Sequence, residues 1–282
     1  MELVEKLKKL NIKHFTQIDP DKENTDKHFE LIGKSGTDAV IFAGSSGVTQ
    51  ANLFDTLKKS KKYIKQLRIV APSDPDQLPP KLVDEILYSG LADGLFIYDV
   101  INSKDSEFIT GRHQRWQKQF YLEGKLPPSK HEMNEIAYIP VTHNSTVRKI
   151  VPIDDNFSIE DVVSWACVGR SRHSIVYLET TGYDINRTGI EPATYIRKIR
   201  SRLAEIGYPD TYIISGGEIR SEEEARKRLE AGADAINVGN PLYFDDQKRG
   251  WEIYLATIRG AKPDIDIKYH EKLLQKQLYS VR

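Results

Sequence analysis

The sequence predicts a modified (β/α)8 TIM barrel with an irregular third unit, in one domain spanning residues 1–282. Eight short apolar runs alternate with charged stretches of helical period, the pattern of a parallel sheet flanked by helices. The last two runs end in glycine turns, Gly216-Gly217 and Val238-Gly239-Asn240, as the phosphate site of such a barrel requires. The 282 residues suit one barrel, which takes about 250, and no second composition class marks another domain.

The eight runs lie near Ile12–Ile18, Asp38–Ala43, Leu67–Ala71, Gly94–Tyr98, Ile136–Val141, Ile175–Glu179, Tyr212–Ser215 and Ala235–Val238. Helical period is plain in Glu191–Glu205 and Glu222–Glu230. In the third unit Pro72-Ser-Asp-Pro and Pro79-Pro80 are expected to break the helix after the strand. A longer insertion, about Gln117–Glu135, is expected before the fifth strand. The tail, about 263–282, holds the charged amphipathic pattern Tyr269–Leu278, read as a surface helix.

The 41 basic and 41 acidic side chains cancel, so no global field attracts nucleic acid or an anionic membrane. Lys58–Lys62 reads as a solvated helix face. The single cysteine, Cys167, sits in an apolar stretch; it allows no internal disulfide and suits a reducing cytoplasm. No signal peptide or apolar span of about 20 residues is present, which predicts a soluble, cytoplasmic protein. A lipid substrate would then reach it by transient membrane contact or on a carrier.

In a barrel of this kind the chemistry follows the strands. Glycine turns before helix N-termini leave backbone N–H groups uncovered and make an anion seat, although two ordinary glycine-capped turns would read the same way. No obvious cation accompanies them, which suits a single phosphate. Across the rim, the first two strands end in Asp19 and in Gly44-Ser45-Ser46-Gly47. A carboxylate beside a phosphate calls for a hard cation between them, and Mg2+ completes its shell with substrate phosphates. Asp19 before Pro20 is equally the pattern of an Asx turn. His113 reads as a packing or capping residue, His143-Asn144 lies on the rim, and Cys167 reads as core. Phe96, Tyr98, Trp116 and Phe120 line either a greasy channel or the ordinary core.

As a set, His14–Lys22, Gly36-Thr-Asp-Ala, Gly44–Thr49, Val100-Ile-Asn-Ser103, Gly111-Arg-His-Gln114, Tyr177-Leu-Glu179, Gly216-Gly217 and Val238-Gly-Asn240 resemble the geranylgeranylglyceryl phosphate synthase family. That family includes heptaprenylglyceryl phosphate synthases and the farnesyl–3-phosphoglycerate synthases of moenomycin-type pathways. The resemblance covers about Ile12 to Asp245. It implies a Mg2+-dependent prenyltransferase, a homodimer, that joins a prenyl diphosphate to a three-carbon phosphate acceptor. By that resemblance Asp19 and Ser45 hold the metal, while Gly44, Ser45 and Asn102 lie on the prenyl diphosphate. Tyr177 and Glu179 meet the acceptor, with Glu179 near the attacking hydroxyl. Gly182, Gly216, Gly217, Gly239 and Asn240 bind the acceptor phosphate.

Several positions depart from the family pattern. Gln17 stands where a lysine is common, Thr180-Thr181-Gly182-Tyr183 replaces a Ser-Gly-rich turn, and Glu218 replaces a third glycine. These changes lie mostly on the acceptor side and tilt the expectation toward 3-phosphoglycerate over sn-glycerol-1-phosphate. Arg187 would then meet the extra carboxylate, or else be a solvated loop arginine. A phosphate-binding isomerase or lyase on the same barrel is the alternative function, and a catalytically inactive binding protein a third.

Overall fold

The computed structural model describes residues 1–44, 46–143, 145–180 and 189–278. Strands β1 (His14–Ile18), β2 (Ala39–Phe42), β3 (Leu67–Val70), β4 (Gly94–Val100), β5 (Met133–Val141), β6 (Ile175–Thr180), β7 (Tyr212–Gly216) and β8 (Ala235–Val238) pair in sequence order. Every pairing is parallel, and β8 closes on β1 with Phe15 opposite Asn237. The predicted closed barrel is therefore the observed fold, with each strand at its expected place.

Helices α1 (Leu3–Lys9), α2 (Asp26–Lys34), α3 (Gln50–Ser60), α4 (Pro80–Tyr88), α5 (Arg112–Leu122), α6 (Thr146–Ile150) and α7 (Ile159–Arg170) precede β6. After β6 come α8 (Pro192–Glu205), α9 (Glu222–Glu230), α10 (Gln247–Ala261) and α11 (Ile267–Leu278). Local chemistry sets several of their starts. Thr49 and Asn52 form a reciprocal capping box on α3, and Ser221 Oγ accepts the Glu224 N–H at 3.1 Å to open α9.

Two expectations need correction. The third unit is irregular only ahead of its helix, where a 3-10 turn (Pro75–Gln77) intervenes; Pro80 then opens α4 instead of breaking it. A proline at the first helical position loses only an N–H that had no intrahelical partner. Nor is Gln117–Glu135 an insertion, because Gln117–Leu122 is the second half of α5 and β5 already begins at Met133.

Strand alternation sorts the side chains into two packed layers. Phe15, Ile41, Ile69, Phe96, Ile136, Ile175 and Ile214 belong to one buried cluster inside the barrel, with Phe15 and Phe96 edge to face at 6.3 Å. Outside, Val40, Phe42, Leu95, Ile97 and Ile236 pack with helix residues such as Phe29, Leu53, Val83 and Ile258. Of the four aromatics read two ways, Phe96, Trp116 and Phe120 are core, with at most 1% of their surface exposed.

β1 is pinned to α10 by a buried polar network. His14 Nδ1 lies 2.9 Å from Thr37 Oγ1 and Nε2 3.1 Å from Thr257 Oγ1, while Thr16 Oγ1 meets the Tyr254 hydroxyl at 2.7 Å. Burial, helped by Lys262, lowers the His14 pKa to about 3, so the native ring is neutral. An unfolded histidine takes up a proton below about pH 6.5. Between these two values the unfolded chain binds the extra proton, and stability falls as pH falls. From pH 6.5 to pH 5 this one group should cost about 1.6 kcal/mol. Urea denaturation at the two pH values should show a shallower pH dependence in His14→Gln, and an unchanged dependence would exclude His14 as its source.

Candidate active site

A cavity of about 360 Å³ opens at the C-terminal ends of the strands. One wall is a tyrosine cluster. Tyr98 on β4, Tyr138 on β5 and Tyr177 on β6 point into the barrel, with ring centroids 5.2 to 5.9 Å apart. Glu179, two residues along β6 from Tyr177, shares that face and accepts a hydrogen bond from the Tyr138 hydroxyl. Burial pushes the Glu179 carboxyl above its usual range; the Tyr138 hydrogen bond and the charge of Arg228 oppose the shift. Burial also drives the Tyr138 and Tyr177 phenols well above theirs, reinforced by the nearby Glu179 charge. The phenols therefore stay protonated, and Tyr138 donates its hydrogen to Glu179.

Tyr177 is fixed from its far side. Asn237 Nδ2 donates to the Tyr177 hydroxyl at 2.9 Å and to Gln17 Oε1 at 2.8 Å, tying β8, β6 and β1 together. A Cβ on Gly216 would stand 2.2 Å from the Tyr177 hydroxyl, so only glycine fits there. Gly217 has φ +84°, and a Cβ on it would meet the Thr180 carbonyl oxygen at 2.0 Å. Below this turn lies Arg228 of α9, fully packed in. Its Nη1 donates to Ser215 Oγ at 3.0 Å and to the Gly216 carbonyl at 2.7 Å, and its Nη2 donates to the Gly217 carbonyl at 2.8 Å. Burial lowers its pKa to about 10, so it remains charged at neutral pH.

Gly217–Arg220 and Gly239–Pro241 line the polar side of the cavity. Glu218 is at φ 45°, and its Oε1 lies 3.3 Å from Arg220 Nη2. The opposite flank is apolar: Ala71, Val100, Phe108, Val147, Ile150 and Val151. Arg112 sits there with its guanidinium over the Phe108 ring at 4.2 Å.

Asp19 follows β1 beside this cavity. Its Oδ1 accepts the Asp21 N–H at 3.0 Å and lies 2.3 Å from where a Cβ on Gly44 would be. Its backbone N–H donates to the Tyr243 hydroxyl at 2.8 Å. The Asx turn and the position beside Gly44 are thus both present. Burial raises the Asp19 pKa, which the Asp21 N–H and Lys22 only partly offset. A half-buried carboxylate beside a glycine that lines the cavity suits a hard divalent ion.

The fold brings Tyr177, Glu179, Gly44, Gly217, Gly239 and Asn240 to one cavity, and Gly216 lies directly behind it. Asn102 is different: it is buried, donates to the Pro140 carbonyl at 3.2 Å and does not line the cavity. Ser45, Gly182 and Arg187, together with Asn144, lie outside the described residues. Gln17 lines the cavity but its amide is already engaged with Asn237. The expectation that no cation accompanies the glycine turns is corrected by Arg220 at the rim and Arg228 beneath. Tyr138 was also not singled out as a site residue, whereas Tyr98, one of the four aromatics read as channel or core, lines the cavity. Arg228 had a legible signal: with Ala225 it makes an i,i+3 pair on the one buried stripe of α9. His113 packs against Trp116 as expected, and Cys167 is half-buried on α7.

Residues 6–259 match the PcrB family. A geranylgeranylglyceryl phosphate synthase of Methanoculleus marisnigri is 31% identical over 254 residues, 88% of this chain and 96% of that protein. A heptaprenylglyceryl phosphate synthase of Bacillus subtilis is 29% identical over 251 residues, 89% and 96% of the two chains. In fold, the chain is similar to (S)-3-O-geranylgeranylglyceryl phosphate synthase of Thermoplasma acidophilum, solved with sn-glycerol-1-phosphate. That likeness has a TM-score of 0.69 at 20% identity and covers 93% of this chain and 99% of that one. With nearly the whole barrel matched, from α1 to α10, the chain belongs to the PcrB family.

Proposed function

We propose that this protein is a prenyltransferase that joins a prenyl diphosphate to the hydroxyl of a three-carbon phosphate through an ether bond. The observation that carries this reading is one cavity with three different walls: an apolar flank, a glycine-lined polar turn and a buried carboxylate among tyrosines. The activities named for the relatives support it.

The prenyl chain is assigned to the flank of Val100, Phe108, Val147, Ile150 and Val151. The acceptor phosphate is assigned to the turns at Gly216-Gly217 and Gly239-Asn240. Arg228 draws the carbonyls of Gly216 and Gly217 toward α9, which favours an amide edge toward the phosphate. Asp19, with Ser45, is assigned to Mg2+, which when bound neutralises charge on the departing diphosphate. The allylic C–O bond breaks and the diphosphate leaves with the bonding pair. The acceptor oxygen forms a bond to C1, and its proton passes to Glu179. Tyr138 orients that carboxylate through its hydroxyl.

For the acceptor, Glu218 changes the balance drawn from the sequence. It lines the cavity already paired with Arg220, and a second carboxylate arriving there would have to displace it. The preferred acceptor is therefore sn-glycerol-1-phosphate, not 3-phosphoglycerate. A monophosphate isomerase or lyase has no use for the apolar flank.

Incubation with labelled farnesyl or geranylgeranyl diphosphate, Mg2+ and each acceptor should give an ether product with sn-glycerol-1-phosphate. EDTA should abolish turnover, and Asp19→Ala should lower kcat/KM by about 100-fold or more. Absence of ether product with every pairing would reject the reaction. Faster turnover with 3-phosphoglycerate would reject the acceptor, and full activity of folded Asp19→Ala the metal.

A further inference from the structure

Arg112 lines the cavity on its apolar flank, a cation to which the proposed reaction gives no task. It opens α5 directly after a π-helical turn, Glu107–Gly111. Phe108 and Arg112 lie four residues apart on one face of that continuous helix, which lays the guanidinium over the Phe108 ring at 4.2 Å. Its other contacts are long. Nη1 lies 3.5 Å from the Ser73 carbonyl oxygen and 3.8 Å from Asp74 Oδ2, and Nε lies 3.9 Å from Glu107 Oε1. That Glu107 oxygen already accepts a hydrogen bond from Arg115 Nη1. Among the described residues, the N–H donors of Arg112 thus share a single hydrogen bond at the limit of length.

The strand ends set the place of this cation. β1, β2 and β3 are neighbours in the barrel. Asp19 follows β1, Gly44 follows β2 and Ser73 follows β3, and Arg112 reaches the Ser73 carbonyl from α5. Gly44, Ser73 and Arg112 all line the cavity, and Asp19 Oδ1 packs against Gly44. On β1 the cavity-lining side chain is the neutral Gln17, whose amide is engaged with Asn237 and the Ala43 carbonyl. Lys22 is exposed and does not line the cavity. Arg220 does, but it belongs to the acceptor turn and is paired with Glu218. Among the described residues, Arg112 alone brings positive charge to the cavity wall on the side of Asp19 and Gly44.

We propose that Arg112 binds the diphosphate of the prenyl donor and offsets the charge that grows on it as the allylic C–O bond breaks. This rests on the prenyl-transfer reading of the cavity. A guanidinium presents parallel N–H groups that match phosphate oxygens. Stacking on Phe108 holds the plane of that fork without using its donors. Phe108 belongs to the flank assigned to the prenyl chain, so one turn of helix offers a ring to the chain and a cation to its head. Asp19 cancels part of the charge of any ion it holds, so the departing diphosphate needs a further counter-charge, which Arg112 supplies. The exchange is favourable, because the long contacts to Asp74 and Glu107 give way to charge-assisted hydrogen bonds.

The test uses the full chain and inorganic pyrophosphate with Mg2+, followed by titration calorimetry. The wild type should bind it, Arg112→Gln should weaken binding by about 10-fold or more, and Arg112→Lys should recover part of the loss. Binding of sn-glycerol-1-phosphate should stay at the wild-type level in both variants, while kcat/KM for the prenyl diphosphate falls with the pyrophosphate affinity. Wild-type pyrophosphate affinity in folded Arg112→Gln would overturn the assignment and leave the prenyl-transfer reading intact. An equal loss of affinity for sn-glycerol-1-phosphate would overturn it too, as the mark of a merely structural arginine. A wild-type chain that neither binds pyrophosphate nor forms an ether would reject the prenyl-transfer reading and this assignment with it.

Discussion

The Tyr177 phenol occupies the space that a side chain on Gly216 would need, and the barrel mouth is organised around that overlap. Because β7 carries no side chain there, the hydroxyl reaches Asn237 on β8, and Asn237 in turn reaches Gln17 on β1. The same bare turn lets Arg228 come up from α9 and take both glycine carbonyls. A side chain at either glycine would push these partners apart. Shape at the turn and charge beneath it are therefore one constraint.

Glu179 shows what that constraint achieves. Desolvation in the tyrosine cluster favours the protonated form of the carboxyl. Tyr138 and Arg228 restore part of the stability of the charged form. Burial and these two partners thus act on the carboxyl in opposite directions, with burial the larger effect. Asp19, after β1, meets a burial penalty too, but is offset mainly by a backbone N–H and Lys22. The proposed reaction gives the first carboxylate the proton and the second the cation.

Most of the architecture was legible because it follows from periodicity. All eight strands, the helices at Glu191–Glu205 and Glu222–Glu230, and the glycine turns come from patterns a few residues long. The prolines at 79 and 80 misled because their effect depends on position: at the start of α4 they cost nothing that mid-helix prolines would. Glu179 and Tyr177 were found through a motif. Tyr138, which donates a hydrogen bond to Glu179, lies in an apolar run with nothing local to distinguish it, and that contact depends on the β5–β6 register that puts Tyr138 opposite Tyr177. Ser73 and Arg112 are 39 positions apart in sequence and meet only in three dimensions. Asn102 shows the reverse case, a polar residue after a strand whose side-chain amide donates to the Pro140 carbonyl.

The central claim is that Glu179 accepts the acceptor's proton and that Tyr138 holds its carboxylate in the charged form. The most direct measurement is the pH dependence of prenyl transfer, as kcat/KM, for the wild type and Tyr138→Phe. Loss of the hydroxyl removes a hydrogen bond that lowers the Glu179 pKa, so the acid limb of the profile should move to higher pH while the chain stays folded. An acid limb that stays in place, or moves to lower pH, would contradict the account.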